Sequence, residues 1–334
     1  MPLPAPLAPV VRAAAGLLVA ALVLAARPAS AESIRMAVSR SPLSLPLYVA
    51  QSEGYFAAEG LEVQLTPCLG GHRCMRQVLE GQAEFGTVGD VPLALNAFST
   101  GGWAVVATFV TTHDDVKLVA RKDVVGSAVQ LAGKRIGVVS TTSSQYFLES
   151  YLLTHLVNPM DVQAVPLQPE DLVQALADGR VDAIAAWEPF AYSAVQALKG
   201  GAHALPNGTG YRGTFNLVVQ GRMVGARDAS IVRVLRALER AQQLIREQPV
   251  QAQAVLRRTL GVDQGFVDYM WPQLQYRLSL DQGLLRTLES EARWALRERH
   301  VAGARMPNFL GVLHAAPLLR VKPDSTGIAR YGPA

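Results

Sequence analysis

A run of five consecutive hydroxyl residues is the strongest candidate for chemistry in this sequence. The run consists of Ser140, Thr141, Thr142, Ser143 and Ser144. It follows the apolar segment 136–139, which predicts a buried strand, and it precedes apolar residues that recur with the spacing of one helix face. The start of such a helix presents unpaired backbone N–H groups and a positive dipole end, so it can hold a small polar or anionic group. Serine and threonine also serve as ordinary helix N-caps, and this simpler interpretation stays open.

Other reactive side chains are scattered along the chain and form no recognisable catalytic set. The six histidines lie at positions 72, 113, 155, 203, 300 and 314. The triplet His113-Asp114-Asp115 contains candidate metal ligands, but consecutive residues on one loop seldom share an ion, so we interpret it as a solvated turn. The sequence contains no Gly-x-Ser-x-Gly motif, phosphate-binding loop or dinucleotide fingerprint. We therefore predict a protein that is not an enzyme and that uses neither a metal nor a cofactor.

The only two cysteines, Cys68 and Cys74, lie close together in the segment CLGGHRC. A pair with this spacing can form a short-loop disulfide if the chain reaches an oxidising compartment. A metal site is the alternative, with His72 between the cysteines, but it would need ligands from a second Cys/His cluster, which the sequence does not contain. We expect the disulfide, which would stiffen this loop more than it would stabilise the whole fold.

The first 31 residues have the pattern of a cleavable secretory signal. Arg12 precedes an unbroken apolar run over 13–26, and residues 29–31 read Ala-Ser-Ala, so we predict a mature chain that begins at Glu32. An uncleaved membrane anchor is the alternative, but the run is shorter than the roughly 20 residues of a spanning helix, and Arg-Pro at 27–28 follows it. We expect an exported, soluble protein.

The composition predicts a well-packed globular protein of ordinary charge. The chain has 334 residues, of which 50% are hydrophobic and 17% charged, and this is enough for two domains with buried cores. Its net charge is only +4 at pH 7, and no stretch of Lys and Arg is interleaved with aromatic residues. We therefore expect no nucleic-acid partner.

Strand and helix patterns alternate along most of the chain, which predicts parallel strands covered by helices. The alternation runs from Ile34 to Val110, restarts near Val116, and includes the strand and helix that flank the hydroxyl run. A further apolar strand starts at Phe215, and the sequence after Gly225 has helical periodicity. Two similar α/β units are therefore expected, with the chain passing between them near residues 116 and 215 and a cleft between the units.

Four segments of this pattern are similar to the successive signatures of one protein family. They are PLYVAQSEGYFAAEGLEVQL, VLEGQAEFGTVGD, GKRIGVVSTTSS and GRVDAIAAWEPF. In this order and spacing they resemble the NMT1/THI5-like periplasmic solute-binding proteins of nitrate, sulfonate, taurine and pyrimidine-precursor uptake. The resemblance implies a type II periplasmic-binding-protein fold with two α/β lobes, each a mostly parallel sheet flanked by helices, two crossover strands and a helical C-terminal region. It implies lobe 1 at 32–115 plus 216–334 and lobe 2 at 116–215.

The resemblance also places a ligand in the cleft between the lobes, at loops that follow strand ends, as is general for open parallel sheets. The matching positions are Ser41, Pro42, Leu45, Gly70, Gly71, His72, Arg73, Gly89, Asp90, Ser140, Thr141, Thr142, Ser143, Ser144, Trp187, Glu188, Phe215 and Asn216. Hydroxyl and backbone donors would take an acidic or carbonyl group, and Trp187 would cover an apolar or planar part. Glu188 or Asp90 would take an amine. Structural roles are the alternative, for example Trp187 in a core and Glu188 as a helix cap.

The family resemblance implies the substrate-binding component of an ABC importer. Such a protein captures a small polar organic or anionic solute in the periplasm, closes its lobes and delivers the solute to a membrane permease driven by an ATPase. It implies a monomer that meets the membrane only through the permease. Two alternatives stay open, a binding protein that serves a signalling receptor and an enzyme on the same fold. The ligand charge also stays open, because the hydroxyl run favours an anion and the nearby carboxylates a cation.

Overall fold

The computed structural model describes residues 31–99, 101–302 and 305–327, together with Met1. Apart from its first and last residues, the predicted signal peptide lies outside the described residues. Glu32, the predicted first residue of the mature chain, is the first residue of strand β1.

The described part of the chain contains eleven strands and twelve α-helices. The strands are β1 (Glu32–Ser39), β2 (Leu61–Cys68), β3 (Phe85–Gly89), β4 (Trp103–Thr112), β5 (Val116–Arg121), β6 (Arg135–Val138), β7 (Gln163–Pro166), β8 (Ala183–Trp187), β9 (Ala202–Ala204), β10 (Gly213–Gln220) and β11 (Leu274–Ser279). The helices are α1 (Leu45–Ser52), α2 (Tyr55–Ala58), α3 (Gly71–Leu79), α4 (Asp90–Asn96), α5 (Ser143–Thr154), α6 (Leu172–Ala177), α7 (Phe190–Ala197), α8 (Asp228–Glu247), α9 (Pro249–Leu260), α10 (Gln264–Met270), α11 (Gln282–Arg297) and α12 (Ala316–Val321).

Two sheets define the two lobes of the molecule. The sheet of lobe 1 has the strand order β11-β4-β10-β3-β1-β2, and the sheet of lobe 2 has the order β7-β6-β8-β5-β9. The chain crosses from β4 to β5 and returns from β9 to β10, so lobe 1 is built from two separate parts of the sequence. The predicted two-lobed α/β fold is confirmed. The return strand begins at Gly213, slightly before the predicted lobe boundary at residue 215.

Both sheets are mixed, whereas the sequence pattern predicted mostly parallel sheets. Strand β1 is parallel to β2 and β3, and β6 is parallel to β7 and β8. Strand β10 is antiparallel to β3 and β4, and β5 is antiparallel to β8 and β9. Two of the reversed strands, β5 and β10, enter their sheet from the other lobe. Their direction follows from the crossover path, which local sequence patterns do not encode.

The C-terminal region contains one strand where the sequence predicted only helices. Strand β11 pairs with β4 in antiparallel fashion. Leu274, Tyr276 and Leu278 in this strand are buried, whereas Gln275 and Arg277 are exposed. This alternation with a period of two is the pattern of a half-buried strand, but it spans too few residues to stand out between two helical stretches.

Each lobe has a hydrophobic core of its own. Phe85 and Phe109 are buried in the core of lobe 1, which also includes apolar residues of the C-terminal helices. Phe147 and Ile184 are buried in the separate core of lobe 2. Separate cores let each lobe hold its shape independently, so the ends of the strands between them are free to form a polar cleft.

Candidate functional site

A cleft lies between the two lobes at the C-terminal ends of their parallel strands. Its empty space is about 640 Å³, including the part that is open to solvent. Ten of the residues predicted for the site line it, namely Ser41, Gly70, Gly71, His72, Gly89, Asp90, Thr142, Ser143, Trp187 and Phe215. The structure therefore brings predicted residues from both lobes to one cavity.

The start of helix α3 forms the wall on lobe 1. Its N-cap is Gly70, whose φ of 91° is a backbone conformation that suits glycine. A Cβ atom on Gly71 would lie 2.8 Å from the backbone nitrogen of Gly89, so glycine is needed for the close approach of these two segments. The helix consequently begins directly beside the end of β3, and its first N–H groups have no intrahelical partner.

The start of helix α5 forms the facing wall on lobe 2, and two of the five hydroxyls build it. Thr142 is the N-cap: its Oγ1 accepts from the backbone N–H of Ser144 at 3.2 Å and donates to the carbonyl of Val139 at 2.7 Å. The Ser144 hydroxyl is buried, donates to the carbonyl of Ala185 at 2.7 Å and accepts from the N–H of Val139 at 3.0 Å. Thr142 is therefore an ordinary N-cap, as in the simpler interpretation, whereas Ser144 ties the start of α5 to β8 and to the residue that follows β6.

The remaining hydroxyls of the run differ in their position relative to the cleft. Ser143 lines the cleft together with Thr142, whereas Ser140 and Thr141 are exposed to solvent outside it. Thr141 has a φ of 57°, which is unfavourable for a β-branched residue. The tight turn between β6 and α5 thus aims two hydroxyl side chains at the cavity and two away from it.

His72 and Trp187 meet across the cleft in an edge-to-face contact. Their ring centroids are 6.3 Å apart with an interplanar angle of 68°. Burial, with smaller effects from Arg73 and Arg76, lowers the pKa of His72 to about 4. The imidazole is therefore neutral at pH 7, so it can exchange hydrogen bonds with a ligand without contributing a charge.

Asp90 lines the cleft, but its carboxylate oxygens are already engaged. One oxygen accepts from the Tyr211 hydroxyl at 2.8 Å and from the N–H of Val91 at 3.0 Å. The other accepts from the N–H of Thr214 at 2.7 Å and from its hydroxyl at 3.2 Å. Burial raises the pKa of Asp90 against the opposing effect of these hydrogen bonds. This residue ties the return segment to α4, and the predicted role as an amine acceptor does not match its contacts.

Glu188 is fully buried and does not line the cleft. Its Oε2 accepts from the N–H of Tyr192 in the first turn of α7 at 2.9 Å. Its Oε1 lies 3.4 Å from the Nζ atom of Lys117 on β5. The structural alternative, a helix cap, therefore matches these contacts, and the predicted contact with a ligand amine does not.

Three further predicted residues, Pro42, Leu45 and Asn216, do not line the cleft. Leu45 is fully buried in the lobe 1 core, and the carbonyl of Pro42 accepts from the Tyr276 hydroxyl at 2.9 Å. The Asn216 side chain accepts from the Thr108 hydroxyl at 2.6 Å. Neighbouring residues on a strand face opposite sides, which explains why Phe215 lines the cleft and the next residue does not.

Arg73 does not line the cleft but joins the two lobes beside it. Its guanidinium donates to Glu170 and to Gln168 on lobe 2, at 2.9 Å in each case. A second contact between the lobes connects α11 with α5, where the Trp294 indole N–H donates to Glu149 at 2.7 Å. The lobes are therefore held together by polar contacts outside the cavity as well as by the cavity walls.

The crossover segments contribute much of the lining, but apart from Phe215 none of their lining residues was predicted from the sequence. The additional lining residues are Ser39, Leu43, Pro92, Thr112, His113, Asp114, Asp115, Val116, Tyr211, Gly213 and Thr214. A signal for most of them was available, because the chain was predicted to pass between the units near residues 116 and 215. Any segment that connects two lobes must border the cleft between them.

Cys68 and Cys74 form a disulfide, which confirms the predicted pair. The bond joins the end of β2 to helix α3 and so encloses Gly70, Gly71 and His72. Among the residues that the structure describes, His, Cys, Asp and Glu nowhere form a group of three or more that could hold a metal ion. The helices of the same residues are all too short or too polar to cross a membrane.

Comparison with known proteins gives consistent results. Residues 41–252 match the family described as NMT1/THI5 like. The taurine-binding periplasmic protein of Escherichia coli (strain K12) is 30% identical over 183 residues, which cover 54% of this chain and 55% of that protein.

Solved structures show the same fold. The periplasmic aliphatic sulphonate binding protein SsuA from Escherichia coli is 20% identical, with a TM-score of 0.72 over 85% of this chain and 97% of that one. The alkanesulfonate-binding protein SsuA from Xanthomonas axonopodis pv. citri, bound to MOPS, is 19% identical, with a TM-score of 0.74 over 87% and 100%. The desulfurization enzyme DszB is also similar, at 18% identity and a TM-score of 0.64 over 87% and 98%. At these identities the likeness concerns the fold alone.

Proposed function

Because the chain belongs to the NMT1/THI5-like family, we propose that it is the extracytoplasmic substrate-binding component of an ABC importer. In this role it works as a periplasmic monomer that captures a small solute with an anionic head and delivers it to a membrane permease, whose ATPase drives uptake. The names of the sulfonate-binding and taurine-binding proteins support a sulfonate or a similar oxyanion as the head group. The periplasmic location of those proteins supports the same location here.

The observation that carries the proposal is that two helices from different lobes begin at the same cleft. Gly71 and His72 at the start of α3, and Thr142 and Ser143 at the start of α5, all line it. Each helix start carries about half a positive charge and free N–H donors, which favour an anion. The described residues that line the cleft include neither Lys nor Arg. The oxyanion is therefore held by N–H and hydroxyl donors, without an ion pair to a basic side chain.

The rest of the cleft suits a short organic tail. Trp187 is 8% exposed and, together with Phe215, offers an aromatic surface beside the anion site. A solute between the lobes touches both of them, so it binds the closed arrangement more tightly than an open one. Closure of the lobes is what a permease can recognise as the loaded state.

Thermal-shift measurements on the mature protein test this proposal. The panel comprises ethanesulfonate, 2-aminoethanesulfonate, nitrate and short carboxylates. The corresponding alkylammonium chlorides, which lack the anionic head, serve as controls. A ligand at 100 times its Kd stabilises the folded state by about 2.7 kcal/mol, which is a shift of several degrees in Tm. Absence of any anion-specific shift at millimolar concentrations would contradict the proposal.

A matched pair of serine variants tests the place of binding. Ser143→Ala removes a hydroxyl from the cleft, and Ser140→Ala removes the same group from the exposed part of the same turn. We expect the affinity for the shifting anion to fall by about 10- to 100-fold in the first variant, as for the loss of one hydrogen bond to a charged group, and to stay unchanged in the second. Equal affinities of the two variants would place the anion elsewhere.

A further inference from the structure

The crossover segment into lobe 2 carries a carboxylate that the described protein leaves unsatisfied. Asp115 lies between β4 and β5 and lines the cleft. Its Oδ1 atom is buried, and no described residue forms a hydrogen bond with it. Buried polar atoms are nearly always paired in folded proteins, so an orphaned carboxylate oxygen in a ligand cleft indicates a donor that arrives with the ligand.

The other two carboxylates of the cleft wall have their partners within the protein. Both oxygens of Asp90 accept from backbone and hydroxyl groups, as described above. Asp114 accepts from the Asn207 side chain at 3.1 Å through one oxygen, and its other oxygen lies 3.2 Å from Nζ of Lys117. Asp115 is therefore the carboxylate that remains for a ligand.

The charges around Asp115 are mainly acidic. Lys117 is the neighbouring cation, but Asp114 and Glu188 both contact it. Burial first, and then repulsion by Glu188, raises the pKa of Asp115 to about 7. The titratable groups that surround it are His113, Asp114, Lys117, Glu188 and Tyr276.

We propose that the cleft takes a dipolar solute whose protonated amine pairs with Asp115 while its anionic head lies at the starts of α3 and α5. This inference rests on the proposed function, because it adds a second contact to the same ligand. It assigns the amine to a residue of the crossover in place of Glu188 and Asp90. A cation at Asp115 supplies the missing hydrogen bond and balances the excess of carboxylates, which a neutral group in the same place does not do.

A pair of nearly isosteric probes tests the inference by titration calorimetry on the mature protein. The probes are 2-aminoethanesulfonate and 2-hydroxyethanesulfonate, which differ in an ammonium and a hydroxyl group. At pH 8 we expect the amine to bind about 10- to 100-fold more tightly, as for a charge-assisted hydrogen bond. Asp115→Asn should abolish this preference and still bind the hydroxyl probe. The control Asp161→Asn, which removes an exposed carboxylate outside the cleft, should keep the preference.

The pH dependence gives a second readout from the same probes. Asp115 is ionised above its pKa of about 7, so the preference for the amine should grow between pH 6 and pH 8 in the wild-type protein. It should stay flat in Asp115→Asn. The comparison of the two probes on the wild-type protein remains decisive even if that variant does not fold.

The outcomes separate this inference from the proposal on which it rests. Equal affinity of the wild-type protein for both probes would overturn the amine site and leave the anion site standing. A preference that survives Asp115→Asn would overturn it as well. If neither these sulfonates nor the corresponding pair of 3-aminopropanoate and 3-hydroxypropanoate binds, both the anion site and the amine site are refuted.

Discussion

Breaking the buried ion pair between Glu188 and Lys117 is expected to destabilise the protein without removing a ligand contact. The Nζ and Oε1 atoms lie 3.4 Å apart, and the two side chains are only 5% and 0% exposed. At this distance an effective dielectric constant of about 20 gives an attraction of about 5 kcal/mol. The cost of desolvation opposes this attraction, and Asp114 remains as a second partner of the lysine. We therefore expect Glu188→Gln to lower the free energy of unfolding by about 2–3 kcal/mol.

The charge state of Lys117 supports this magnitude. Burial lowers the pKa of Lys117, but Glu188, Tyr269 and Asp114 together raise it by more than burial lowers it, so the net shift is upward. The lysine is consequently charged at neutral pH and needs its carboxylate partners. Replacing Glu188 by glutamine retains an oxygen that can accept from the Tyr192 N–H, so the variant removes the charge and little else.

Urea unfolding of the variants at pH 7, followed by circular dichroism, tests the pair as a double-mutant cycle. Lys117→Met should be the more harmful single change, because it removes the cation that both Glu188 and Asp114 contact. The variant with both changes should recover at least about 1 kcal/mol of the summed losses. A coupling energy below about 0.5 kcal/mol would refute the reasoning. So would a Glu188→Gln protein of unchanged stability that no longer binds its ligand.

Three further predictions concern stability at and near the cleft. Asp115 is more easily protonated in the folded state, so the stability that its carboxyl contributes is complete below about pH 4 and is lost as the pH rises through about 7. Without ligand, Asp115→Asn should therefore gain stability over the wild type between pH 5 and pH 8. The urea midpoints of both proteins at pH 5 and at pH 8 measure this gain. The opposite effect of His72 is the same in both proteins and cancels in the comparison. A stability difference that does not change between the two pH values would contradict the prediction. Thr141→Gly should stabilise the protein by about 0.5–1 kcal/mol. Glycine adopts the left-handed backbone conformation of this position without strain, and this gain exceeds the entropy cost of glycine. A lower urea midpoint in the variant would show that the turn is not strained. Gly71→Ala should lower the unfolding free energy by about 1–3 kcal/mol and weaken anion binding, because the added methyl group collides with the backbone of Gly89. Wild-type stability and affinity in this variant would mean that α3 can shift to make room.

The general plan of the molecule was accessible from the sequence. Alternation of apolar segments with helical periodicity predicted two α/β units, and the strand and helix around the hydroxyl run lie where this pattern placed them, as β6 and α5. The pairing of Cys68 with Cys74 followed from their spacing. These features depend on local chemistry, which neighbouring residues determine among themselves.

The functional assignment of the charged residues was less accessible. Glu188 and Asp90 were predicted to meet an amine, yet helix N–H groups, hydroxyls and a lysine distant in sequence occupy their oxygens. Asp115 was interpreted as part of a solvated turn, although it lines the cleft with a buried oxygen that has no partner among the described residues. Whether a carboxylate is satisfied depends on groups that come from other elements, and a sequence pattern does not specify them.

The sequence by itself determined that strands and helices alternate, that a helix starts at the hydroxyl run and that the cysteines pair. Only the tertiary structure decided which hydroxyls face the cavity, that β5 and β10 run against their neighbours and that the crossover supplies an acidic wall. The physical reason is the range of the interactions involved. Periodicity and capping act within a few residues, whereas burial, the hydrogen bonds of a buried carboxylate and the direction of a returning strand depend on segments that meet only after the chain has folded.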